Sequence, residues 1–144
     1  MDEWIVNDHP DNRCFGCSAH NPRGLRLRFR HTGPGAVEAR YTAPEDFAGA
    51  PGVVHGGIQA ALLDEALGHA ALAGAGAPET LDLVTVDFQL RYRRPAPTGQ
   101  PLVLFGELER VDGRNLHVRG EIRSEAGEVL TRATARWVHV RPSA

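Results

Sequence analysis

The residues that could do chemistry lie in one stretch, Val54 to Ala73, which reads Val-His-Gly-Gly-Ile-Gln-Ala-Ala-Leu-Leu-Asp-Glu-Ala-Leu-Gly-His-Ala-Ala-Leu-Ala. It is the one long helical pattern in the chain, and it carries an awkwardly placed carboxylate, Asp64. On a wheel at ~100° per residue, Gly57, Ala60, Ala61, Gly68 and Ala71 fall within about 60° of Asp64. All are small, so Asp64 projects from a shallow trough with room for a substrate, although a small-residue face also suits close packing on a neighbouring element. Leu62, Leu63, Ala66 and Ala70 form the opposite, core-facing stripe. Glu65 and His69 are spaced i, i+4 as a helix-surface pair that needs no function.

At the head of the helix, His55-Gly56-Gly57 exposes backbone N–H groups at the positive end of the helix dipole, unobstructed by side chains. That is the geometry of an oxyanion hole; glycine there also suits a tight turn into the helix. Eight residues separate Gly56 from Asp64, a rise of ~12 Å along the axis. One carbonyl cannot touch both. If both act on the same carbon, the donor comes from one subunit and the carboxylate from another, in a two-fold dimer with two composite sites.

The elements that must position these groups are mostly strands. Leu25, Leu27 and Phe29 alternate with Arg26, Arg28 and Arg30 as a half-buried strand, His31 to Gly35 is a turn, and Val37, Ala39 and Tyr41 alternate again. Pro44 to Gly52 is a loop in which the apolar Phe47 requires a pocket. After Gly74 to Pro78 ends the helix, Leu81 to Tyr92 reads as the longest strand, with Val84, Val86, Phe88, Leu90 and Tyr92 on one face and Leu83, Thr85, Asp87, Gln89 and Arg91 on the other. Leu102 to Val111, the Asp112-Gly113 turn, Leu116 to Ile122, the Ala126-Gly127 turn and Val129 to Val140 complete two strands, one helix and four strands. The fold class is therefore α+β, with one helix lying across a curved, largely antiparallel sheet of about six strands. Residues 1–23, dense in turn formers, form an irregular arm packed on a single domain at 24–144, with Trp4 and Ile5 as its anchors.

A chain of 144 residues suits one domain. Its net charge of -2 and the interleaving of Arg with Asp and Glu leave no basic block for nucleic acid, so small molecules or proteins are the expected partners. Gln59, Asp64, Glu65 and His69 interrupt the apolar stretch, which excludes a membrane span. The acidic start Met-Asp-Glu-Trp-Ile-Val-Asn-Asp lacks the apolar core of a secretory signal, so the protein is expected to be cytoplasmic. Cys14 and Cys17, the two cysteines, then read as free or metal-bound. With His9 and His20 they make a His-x4-Cys-x2-Cys-x2-His set that would suit tetrahedral zinc. Only one Cys-x2-Cys is present, however, and such sites usually draw their second ligand pair from a separate segment. The preferred reading is two cysteines packed against the sheet and no metal.

His55-Gly-Gly-Ile-Gln-Ala-Ala-Leu-Leu-Asp64, followed by Val84-Thr-Val-Asp-Phe-Gln-Leu-Arg-Tyr-Arg-Arg-Pro95, resembles the PaaI-like acyl-CoA thioesterases of the hotdog-fold superfamily. Cys14-Phe-Gly-Cys-Ser-Ala-His-Asn-Pro-Arg-Gly-Leu25 matches a leader seen in a branch of that family, so the resemblance runs from about residue 14 to 140. It implies a hotdog fold, paired through its sheets as a homodimer or a dimer of dimers (a homotetramer), and an acyl-CoA thioesterase needing no cofactor. It places the catalytic carboxylate on Asp64, as general base or nucleophile, the helix-terminal donor on Gly56, a loop-shaping role on His55 and a water-orienting hydroxyl on Thr85. At a reference pKa of ~3.9 an Asp is ionised at neutral pH and ready for either role. The acyl group would lie against Phe47, Gly57, Ala60, Ala61 and Gly68. Arg91, Arg93, Arg94 and Arg114 would meet the CoA phosphates, with Arg91 and Arg93 on one strand face and Arg94 on the other. Many relatives carry Asn or Gln six residues before the histidine, where this chain has Gly49; that difference motivates an alternative, a non-catalytic acyl-CoA binder or sensor on the same fold.

Overall fold

The computed structural model describes residues 4–5, 7–75 and 83–140. The elements are β1 (Trp4–Ile5), β2 (Phe29–Gly33), β3 (Ala36–Tyr41), a 3-10 turn at Glu45–Phe47, the helix α1 (Gly56–Ala75), β4 (Leu83–Tyr92), β5 (Leu102–Asp112), β6 (Asn115–Ser124) and β7 (Val129–His139). All strand pairings are antiparallel, in a sheet of order β1-β2-β3-β5-β6-β7-β4. This is the hotdog arrangement, one helix packed on one face of the sheet. The sheet has seven strands rather than about six because Trp4 and Ile5, expected only as anchors, pair with Arg30 and Phe29. The expected turn at residues 76–78 and strand start at Leu81 lie outside the described residues.

Apolar alternation explains the ladder of the second half. Leu116, Val118 and Ile122 of β6 and Leu102 and Leu104 of β5 are at most 1% exposed beneath α1, and their neighbours in sequence point to the outer face. There the arginines pair as a solvated face should: Arg123 and Arg132 both hold Glu121, Arg119 holds Glu107, and Arg136 holds Asp87. The tight β5–β6 and β6–β7 turns use Gly113 and Gly127 at positive φ, a conformation glycine adopts without steric penalty.

The helix can lie close to the sheet because Gly106 and Gly120 are register partners directly beneath it. A Cβ on Gly106 would sit 2.3 Å from the Ala66 carbonyl oxygen, and one on Gly120 would sit 3.0 Å from Leu67 Cδ2. The helix thus crosses over β5 and β6 at Ala66–Leu67, and Asp64 points toward β4 at the edge of the sheet.

The first expected strand differs. Leu25 and Leu27 are buried as its alternation requires, yet they lie outside the β2 ladder. Arg26 has φ 53, a left-handed conformation that interrupts a strand. The N–H groups of Leu25 and Leu27 instead bond the carbonyls of Phe15 and Gly16 at 2.7 and 2.9 Å, so this segment fastens the N-terminal arm to the domain.

β4 also departs from simple alternation. Thr85 pairs with Trp137, but Asp87 pairs with Arg136, so Val86 forms a bulge. An extra residue reverses the parity of everything beyond it. Thr85 and Phe88 consequently share the helix-facing side, with Leu90 and Tyr92, whereas Val84 and Val86 are each 45% exposed on the outside. The single face expected for Val84 through Tyr92 is therefore corrected: the bulge divides it.

Candidate active site

The bulge has a direct chemical result. Thr85 Oγ1 donates a hydrogen bond of 2.9 Å to Asp64 Oδ1, which brings together two site residues 21 positions apart in sequence. Asp64 is half-buried, and burial pushes its carboxyl above the ordinary Asp value while the Thr85 hydroxyl pulls it partly back. The result is a held carboxylate with one oxygen engaged and the other available.

At the helix head, His55 acts as N-cap. Its carbonyl accepts the first helical bond, from Gln59 N–H at 3.0 Å, and its Nδ1 accepts the Gly57 N–H at 2.9 Å. Nδ1 being the acceptor, the ring proton sits on Nε2. Gly57's amide is thereby occupied, while Gly56 holds the first helical position, whose N–H has no intrahelical acceptor. Phe47, partly buried against the core, fixes the approach to the helix by accepting the His55 N–H at 2.8 Å. Gly49 lies against His55, where an added Cβ would be in ordinary contact with His55 Cα at 3.4 Å.

Tyr92, unassigned by sequence reading, donates its hydroxyl to the Gly56 carbonyl at 2.7 Å. A period-2 pattern places it on the helix side only once the bulge is known. Gln59, also missed, is 3% exposed. It donates to the Val54 carbonyl at 2.9 Å and accepts from Thr131 at 2.6 Å, tying the first helical turn to β7. A buried amide inside a helical pattern was its signal, since such a group requires partners.

Gly49, Gly56, Gln59, Tyr92, Arg93 and Arg94 line a cleft of about 380 Å³ at the helix head. Arg93 and Arg94 lie just past the end of β4, and both their N–H groups bond the Leu130 carbonyl, at 2.9 and 3.0 Å. Strand alternation therefore does not separate them, and the expected split of Arg93 from Arg94 is corrected. Arg94 is also 3.6 Å from Glu128. Arg91 stays exposed on the strand opposite Arg132. Arg114 is at the other end of β4, bonding the His139 carbonyl at 3.1 Å. The four arginines do not converge within one chain.

The trough is shorter than its small residues imply. A Cβ on Gly68 would lie 2.6 Å from Trp137 Cη2, so the indole fills the space, and Ala71 is fully buried. Gly57, exposed, with half-buried Ala60 and Ala61, remain at the helix head.

Glu65 and His69 are not a surface pair. His69 is 5% exposed and stacks on Phe29 at 4.6 Å between centroids. Burial, with His31 nearby, pushes its imidazole down to about 4, and burial, with Cys14 nearby, pushes Glu65 up to about 8. The two side chains approach to 3.7 Å. Cys14 and Cys17 pack against Glu65 of the helix rather than simply on the sheet, with Cys14 Sγ 3.4 Å from Glu65 Oε1. The Cys17 thiol, donating to Cys14, brings the Cys14 thiol down to about 5, and its own value is pushed up by the same neighbour. His9 and His20 are elsewhere: His9 Nδ1 accepts the Asp11 N–H at 3.2 Å, and His20 Nε2 meets the Asp8 carbonyl at 2.6 Å.

Comparison with known proteins gives the family of this fold. The chain is 34% identical over 95 residues to the acyl-coenzyme A thioesterase THEM4 of Xenopus laevis, covering 65% of this chain and 40% of that protein. The chain thus spans about two-fifths of the length of the curated relatives it matches. Among solved structures, a thioesterase superfamily protein superposes with a TM-score of 0.74 at 34% identity, over 83% of this chain and 59% of that one. A phenylacetic acid degradation-related protein of Ralstonia eutropha JMP134 superposes with a TM-score of 0.68 at 27% identity, over 79% and 85%. The family model described as the thioesterase superfamily matches residues 51–131, which takes in His55, Gly56, Asp64 and Thr85 on the elements just described, and the chain belongs to that superfamily.

Proposed function

We propose that this chain hydrolyses a small-molecule acyl-CoA thioester to the free acid and CoA. The observation that carries the reading is the 2.9 Å bond from Thr85 to the half-buried Asp64, on the same helix whose glycine head opens onto a cleft holding Arg93 and Arg94. Thr85 engages Oδ1, leaving Oδ2 to take a proton from water as that water attacks the thioester carbon. The oxyanion that develops is held by an N–H at a helix N-terminus, where the dipole favours negative charge. Collapse expels the CoA thiolate, whose low basicity relative to an alkoxide removes the need for an acid. Direct attack by Oδ2, giving an acyl anhydride that water then opens, is the alternative course of the same site.

The ~12 Å rise between Gly56 and Asp64 makes the polarising donor the partner subunit's Gly56, in a homodimer. Supporting this, β4 is an edge of the sheet, and along it Thr85 sits beside Asp64 while Tyr92 sits beside Gly56. Two β4 edges paired antiparallel about a two-fold axis near the middle of the strand run in opposite directions, so that the Thr85 end of each faces the Tyr92 end of the other and each carboxylate is brought toward the other subunit's helix head. Further pairing of dimers is compatible with that arrangement. In this reading Arg93 and Arg94 hold CoA phosphates, Phe47, Gly57, Ala60 and Ala61 meet the acyl end, the chemistry needs no cofactor, and the protein works in the cytoplasm.

Thiol release from a panel of acyl-CoAs tests the assignment. Asp64→Asn is expected to lower turnover by about 100-fold or more while the variant keeps its fold and assembly; wild-type rates in that variant would sink the proposal. Gly49, which supplies no carboxamide beside His55, motivates the second reading, a binder without turnover. Calorimetric binding of acyl-CoA with no thiol released from any thioester would favour it.

A further inference from the structure

We propose that Cys14, Cys17 and Glu65 form a zinc site that pins the N-terminal arm to the central helix. The sulfur atoms of Cys14 and Cys17 and a carboxylate oxygen of Glu65 all lie within 4.8 Å of one another. Tetrahedral zinc with ~2.3 Å bonds to sulfur and ~2.1 Å bonds to oxygen sets S···O near ~3.6 Å; Cys14 Sγ and Glu65 Oε1 are already 3.4 Å apart. The second segment that a lone Cys-x2-Cys lacks in sequence is supplied by the helix, 48 residues beyond Cys17. The site is built tightly around the carboxylate, since a Cβ on Gly16 would fall 2.0 Å from Glu65 Cγ.

A second observation points to an occupant. Cys14, Cys17, Glu65, His69 and Trp137 line a common cavity of about 140 Å³. Among the described residues, the two buried side-chain polar atoms without a hydrogen-bond partner, His69 Nδ1 and Trp137 Nε1, belong to this lining. Unpaired buried polar atoms are rare and call for an explanation such as an ion or ordered water. His69 Nε2 is 3.7 Å from Glu65 Oε2, beside the carboxylate oxygen that the metal leaves free, where a small side-chain shift would let it take the supporting role a buried imidazole plays behind many metal ligands. The cavity has room for a solvent oxygen as fourth ligand. Two thiolates and a carboxylate favour zinc over the hard cations, which take all-oxygen shells.

The site would fasten residues 14–18 one position away from Asp64 without touching the reacting atoms. Metal content of the purified, reduced full-length chain, followed by titration with zinc ion against a competing chelator, tests the proposal. About one zinc per chain is expected, weakened about 10-fold or more by Glu65→Gln and by Cys14→Ser, and unchanged in the His9→Ala, His20→Ala double variant. Cobalt(II) in place of zinc should give thiolate-to-metal charge-transfer absorption, which reads cysteine ligation in the wild-type chain even if Cys14→Ser fails to fold. Chelation should raise amide exchange in residues 14–18 while β5 and β6 stay protected. No uptake by the reduced protein, an equal affinity in Glu65→Gln, loss of binding in the double histidine variant, or a Cys14–Cys17 disulfide with no metal taken up after reduction would each overturn it.

Discussion

Thr85 holds Asp64 through its hydroxyl alone, so the contribution of that bond can be isolated. The hydroxyl stabilises the ionised carboxylate, opposing the upward push of burial. Thr85→Ala removes only the stabilising part, so the Asp64 pKa rises and the acidic limb of the kcat/KM profile moves to higher pH. At neutral pH the rate should fall by about 10-fold, the loss of one positioned hydrogen bond at the general base. Thr85→Ser keeps the hydroxyl and should return both the rate and the limb toward wild type, whereas an unchanged profile in Thr85→Ala would show that the bond does not serve the carboxylate. Gly49→Asn tests the neighbouring absence. Gly49 has ordinary φ and 3.4 Å of clearance from His55, so the variant should fold normally and, by placing a carboxamide at the cleft, raise thiol release several-fold.

For the elements, position depends on how closely the helix can approach the sheet. A methyl group on Gly106 meets the Ala66 carbonyl at 2.3 Å, and backbone cannot yield as a flexible side chain can. Gly106→Ala should therefore destabilise the fold by about 1–3 kcal/mol and lift Asp64 away from Thr85, measured by denaturant unfolding together with kcat/KM. The loop before the helix is anchored differently. Glu45 accepts the Gly52 N–H at 2.7 Å and the Thr98 hydroxyl at 2.9 Å, and these bonds hold its carboxyl below the ordinary Glu value. A depressed folded pKa contributes stability above the unfolded value of ~4.3, which is lost as the pH falls through the folded pKa. Protection of the Gly52 amide from hydrogen exchange should accordingly decline in acid, and Glu45→Gln should show weakened protection already at neutral pH.

On the scale of the whole molecule, the proposed two-subunit site makes a prediction that no single chain can satisfy. Asp64→Asn removes the carboxylate. Gly56→Pro removes the candidate donor at the first helical position, where proline is tolerated and where the nearest obstacle is the movable Tyr92 hydroxyl, 3.3 Å from an added Cβ. Each variant alone should be nearly inactive. Mixed in equal amounts and allowed to exchange subunits, they should recover about one quarter of wild-type activity, because half the dimers are mixed and each contains one intact site. Sites contained within one subunit would give no recovery. The exposed Val84 and Val86 on edge strand β4 make exchange salt-insensitive if apolar contact holds the dimer, which analytical ultracentrifugation across salt concentrations would show.

Much of this molecule was legible from local pattern. Helical spacing marked α1 and its Asp64, turn residues marked the hairpins of the second half, and His-Gly-Gly marked the head of the helix that is proposed as the donor; each is a property of neighbours in sequence, where periodicity and backbone chemistry act. What the pattern could not reach depends on contacts between distant segments. A one-residue bulge at Val86 decides that Thr85 faces Asp64 and that Tyr92 reaches Gly56, Trp137 decides that the trough closes at Gly68, and the folding of the arm onto the helix turns Glu65 and His69 from a surface pair into the wall of a cysteine-lined cavity. Period-2 alternation carries no sign of where its parity reverses, and a helical wheel does not say which large side chain from another strand will fill a gap. Only the tertiary structure, in which those segments compete for the same space, settles both.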